Sequence, residues 1–164
     1  MLKALSERLS DTALSQLFAN VEWLVPAVQS IHILGIAIAL TTLLMLNVRV
    51  LRPHAKAPSL ADMSRSFAPW TWSALSVLLL SGALLVVAEP ARELSSIPFR
   101  IKMLLVLLLA LATLSLQWPL RSDTHYWSHP GHRRRTAQLL AVVGLLLCAC
   151  IVAAGRLIAY ARHA

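Results

Sequence analysis

His32 is the one histidine inside a long apolar stretch of this 164-residue chain. An imidazole in such a place can ligate a metal or hydrogen-bond a neighbouring helix. Gln29, Gly35, Ile36 and Ala39 share its face at helical spacing, pairing a polar neighbour with room near the backbone. A flat macrocycle fits against such a face. Imidazole is a common axial ligand of haem iron, and helical bundles build cofactor sites from inward-facing side chains. His32 is thus a candidate ligand of a b-type haem.

Charged residues flank the apolar stretches. Glu22, Glu89, Arg100, Lys102 and Arg156 belong to four different stretches, and an up-and-down arrangement brings them to one end. His32 follows Glu22 by ten residues, about 15 Å along a helix. Arg156 lies about 6 Å inside Tyr160 by the same rise, where a charge must snorkel or find a carboxylate. The bland reading is an ion-pair network, Glu22 or Glu89 with Arg156 and Arg100, that pins the bundle. The functional one is that Arg100, Lys102 and Arg156 hold an anion such as the propionates of a haem, the head of a lipid or a quinone-like molecule. For the second axial position the sequence offers Met103, Lys102, a nonprotein ligand, another subunit, or none. Asp123, His125, His129 and His132 have a spacing that could collect a divalent ion, but the arginines that follow oppose a cation. Cys148 and Cys150 point to nearly opposite sides of a helix, which suits packing rather than a shared metal or a disulfide.

The elements that position these residues follow from composition. The chain is 58% hydrophobic and 13% charged, with mean hydropathy +0.70; soluble domains are about half apolar and a quarter charged. A helix needs about 20 apolar residues to cross a bilayer. The expected fold is an all-α polytopic membrane bundle of four transmembrane helices, at about residues 21–51, 68–88, 98–120 and 135–160, forming a single membrane domain. A short interfacial helix is expected over Ala4 to Phe18, broken at Ser10 and Asp11, where a new helix could be capped. Lys3, Glu7, Arg8 and Asp11 make the N-terminus too polar for a secretory signal peptide. Pro69, Trp70 and Trp72 open the second span, proline suiting a first turn and tryptophan the headgroup level. Ala137, Ala141, Gly144, Cys148 and Gly155 form a small-residue stripe that admits a close neighbour in lipid.

The net charge of +8 is explained by topology, not by nucleic acid. Arg49, Arg52, Lys56 and Arg65 lie between the first two spans, and Arg121, Arg133, Arg134 and Arg135 between the last two. Basic connections stay cytoplasmic, so both termini are expected on the periplasmic side of a bacterial inner membrane, with the charged rim facing out.

His32-Ile-Leu-Gly35, Pro69-Trp70-Thr-Trp72, Glu89-Pro90, Pro98-Phe-Arg100-Ile-Lys102-Met103 and Ala154-Gly155-Arg156-Leu-Ile-Ala-Tyr160 together resemble an uncharacterised family of small bacterial four-helix membrane proteins across nearly the whole chain. A looser similarity is to the haem-binding membrane protoporphyrinogen oxidase and to copper-resistance membrane proteins. That resemblance implies His32 as axial ligand, with Lys102 the weaker counterpart. Two functions follow as expectations: a haem b electron-transfer or redox subunit, or a non-enzymatic assembly or anchoring subunit that docks a partner or a second copy at its outer face.

Overall fold

The computed structural model describes residues 7–52, 58–90, 96–128 and 131–160, with side chains as far as Gly155. Ala4, Lys56, His129 and the side chain of Arg156 lie outside them. All regular structure among the described residues is helical: α1 Ala13–Asn20, α2 Leu24–Leu51, α3 Leu60–Ala88, α4 Ile97–Gln117, the short α5 Pro119–Ser122, a 3-10 turn Tyr126–Ser128, and α6 His132–Tyr160. Four of these helices are long and apolar enough to cross a membrane. Only 17–33% of the residues in their apolar windows are buried within the protein. Leu79, Leu80 and Leu139, each about two-thirds exposed, would be costly in water; hydrocarbon covers them without cost.

The caps show where the helices begin. Residues 7–10 form a helical turn, and α1 restarts at Thr12 instead of Ser10 or Asp11. The Thr12 hydroxyl donates to the Leu9 carbonyl at 2.7 Å and accepts from the Ser15 amide at 3.3 Å, so one side chain ties both turns. At α3, the Ser59 hydroxyl accepts from the Asp62 amide at 3.1 Å and donates to its carboxylate at 2.6 Å. This cap starts the helix well before Pro69, which therefore lies inside α3 and not in its first turn. Proline leaves one backbone carbonyl without its helical donor. Here that carbonyl is Arg65's own, in the segment before the apolar run, where the side chain is exposed.

At the far end of α4, Pro119 interrupts the helix and α5 follows as a separate short turn. Trp127 then donates from Nε1 to the Leu116 carbonyl at 2.8 Å, meeting an acceptor that the helix end would otherwise orphan. Leu46, Leu116 and Ala137, from α2, α4 and α6, make a buried apolar cluster, bordered by Phe67 and Trp127.

α2 is the hub, packed closely against α3 on one side and α6 on the other, while α4 packs on α6. The backbones of α3 and α4 scarcely approach; long side chains bridge them. Because the four long helices alternate in direction, Arg49, Arg52, Arg65, Arg121 and Arg133 to Arg135 share one end, called the basic end below. α1 and the starts of α2 and α4 lie at the other, the terminal end.

The α2–α3 contact is a strict antiparallel register. The Thr71 hydroxyl donates to that of Thr42 at 3.0 Å, and ten residues away along each helix His32 meets Ser81 at 2.7 Å. Between these two pairs Gly35 faces Leu78, whose side chain is 3.1 Å from where a Cβ on Gly35 would stand. Gly35→Leu is therefore expected to lower the unfolding free energy in detergent by about 1–3 kcal/mol, the usual cost of overpacking. Gly155→Ala, with nothing among the described residues within 4 Å, should leave it nearly unchanged. Equal melting of both variants would contradict this packing.

Candidate functional site

His32 occupies the second turn of α2 beyond Pro26 and turns its ring toward α3. It is half-buried. Ring carbon Cε1 lies 3.5 Å from where a Cβ on Gly82 would stand, so the imidazole rests in ordinary contact beside the bare backbone of α3. Nδ1 is 2.7 Å from the Ser81 hydroxyl oxygen.

The direction of that hydrogen bond follows from proton counting. Ser81 has one hydroxyl proton, and the Val77 carbonyl, 2.6 Å from its oxygen, is a pure acceptor that claims it. Ser81 must then accept from Nδ1–H. The neutral ring consequently carries its proton on Nδ1 and a lone pair on Nε2. Among the described residues no hydrogen bond reaches Nε2. This is the arrangement by which proteins orient a ligating histidine: one nitrogen anchored to a second group, the other presented.

Lys102, half-buried on the inner side of α4, lies within electrostatic reach of the ring. Arg100 is exposed in the first turn of α4, and Glu89 caps the end of α3 half-buried. Glu22 is exposed in the turn that precedes α2. All four are at the terminal end with His32. Met103 is 46% exposed beside the outward Leu104 and Leu107, on the lipid side of α4, so it is not gathered with His32.

At the basic end, His125 donates its backbone amide to the Asp123 carboxylate at 2.9 Å, and His132 pairs with the Thr136 hydroxyl at 3.3 Å. Among the described residues no three His, Cys, Asp or Glu side chains converge as a metal site. The chain matches no family model, no curated protein and no solved structure.

Ser81 is the partner that reading single stretches missed. Its signal was the register itself: once Thr42 and Thr71 are set opposite each other, an antiparallel pair places Ser81 against His32. A double-mutant cycle of His32→Ala and Ser81→Ala, followed by unfolding in detergent or bilayers, is expected to give a coupling of about 0.6–1.7 kcal/mol, the range for interhelical hydrogen bonds in membranes. Strict additivity would show that the two side chains do not bond.

Proposed function

We propose that this chain is a b-type haem protein of a bacterial inner membrane that serves as an electron-transfer or redox subunit. The observation that carries the reading is the His32 ring, with Nδ1 donated to Ser81 and the Nε2 lone pair left without a partner among the described residues. His32 would hold the iron through Nε2. Lys102, in electrostatic reach of the imidazole, and Arg100 at the same end suit the propionates, with Arg156 as the third cation expected from the sequence. Met103, on the lipid side, is left out of the ligand set. Haem held in this way supplies one-electron redox chemistry; the chain's own part is to fix the ring, neutralise the carboxylates and keep the site within apolar helices.

Protein purified in detergent from haem-replete cells is expected to show a Soret band that collapses in His32→Ala. Wild-type protein that is colourless when haem supply is ample would overturn the reading. A colourless protein that copurifies as a discrete oligomer or with one partner would favour an anchoring subunit instead.

The location makes a separate prediction. With the basic end in the cytoplasm, alkaline phosphatase fused after Ala164 should be active, and the same enzyme inserted between α2 and α3 inactive. The reverse pattern would invert the topology and put His32 nearer the cytoplasm.

A further inference from the structure

We infer that Asn47 and Thr113 hold one buried water molecule between α2, α4 and α6, in the half of the bundle away from His32. A cavity of about 10 Å³ lies where these helices meet, lined by Asn47, Thr113 and Gly144 among leucines and Ala112. Asn47 is 5% exposed. Its amide lies flat on the bare backbone of α6: a Cβ on Gly144 would stand 3.0 Å from Nδ2 and 3.2 Å from Oδ1. No side chain or carbonyl among the described residues hydrogen-bonds that amide. One turn beyond Thr113 on the same face of α4, Gln117 is 4% exposed; its Oε1 accepts from Trp72 at 3.0 Å, and its Nε2 has no partner among the described residues.

Size and chemistry together select water. The volume is about that of a single water and excludes any organic ligand. A hard cation such as Ca2+ or Mg2+ takes about six or more oxygen ligands, whereas the cavity wall offers the side-chain oxygens of Asn47 and Thr113. The Thr113 hydroxyl spends its proton on the Leu109 carbonyl at 2.8 Å, so its oxygen is an acceptor. Water then donates to Thr113 Oγ1 and Asn47 Oδ1 and accepts from Asn47 Nδ2, the two to four bonds that a buried water usually makes. Gly144 is required on this account, because a methyl group there would push the amide across the cavity.

The chain has only two asparagines, Asn20 and Asn47, which makes the test direct. Protein labelled with 15N-asparagine and reconstituted in lipid bilayers is examined by solid-state NMR with magnetisation transfer from water; Asn47→Leu assigns the side-chain signal. The Asn47 amide is expected to gain water magnetisation, and the gain to fall several-fold in Thr113→Val or Gly144→Ala. No transfer in the wild type overturns the inference. So does transfer unchanged in both variants, which would mean that Asn47 is reached by bulk solvent.

Discussion

Hydrocarbon offers no hydrogen bonds, and most of this molecule is organised around that constraint. The helical backbone satisfies itself, and so do most of the hydroxyls. Ser30, Thr41, Ser76 and Ser115, all exposed on apolar helices, each donate to the carbonyl four residues earlier at 2.8–3.0 Å. Such back-bonding lets a serine or threonine face lipid without an orphaned proton. An imidazole or a carboxamide has no equivalent within its own helix. His32, Asn47 and Gln117 must therefore look elsewhere, and each sits where helices meet.

The same constraint decides which helices touch. With lipid as apolar as leucine, burial of leucine against leucine gains little, and association depends on close packing and shared hydrogen bonds. α2 has both. It presents Gly35, Ala39 and Thr42 to α3, and Asn47 to Gly144 of α6. The backbones of α3 and α4 scarcely approach, and the Trp72–Gln117 bond spans the distance that they do not close. The result is a bundle with one loosely joined side.

The four spans were legible because 20-residue apolar runs bounded by arginine admit hardly any other reading. Their lengths were harder to see. Ser59 and Asp62 form a cap in a polar stretch that carries no apolar periodicity, and a proline taken as a starting signal, Pro69, proved compatible with a helix already under way. The site was legible in part: His32 and its small-residue face are in the sequence, but Ser81 becomes its partner only through the register of two helices. Asn47 and Gln117 escaped notice because a lone amide in an apolar run looks like tolerated polarity until both neighbours of the helix are known. Met103 is adjacent to Lys102 in sequence, and one residue along a helix is a turn of about 100°, enough to put it on a more exposed face than its neighbour.

A histidine kept only for its bond to Ser81 would be a poor choice of residue. An interhelical hydrogen bond in a membrane contributes about 0.6 kcal/mol on average, and a hydroxyl at residue 32 would supply it as well. A serine or threonine at residue 32 could bond Ser81 and return any spare proton to its own helix, as Thr42 does opposite Thr71. The second nitrogen distinguishes imidazole from those alternatives, and it is the atom that the local hydrogen-bonding leaves available. Ser81 and Val77 hold the ring in the tautomer that presents Nε2, the atom on which the proposed haem site rests.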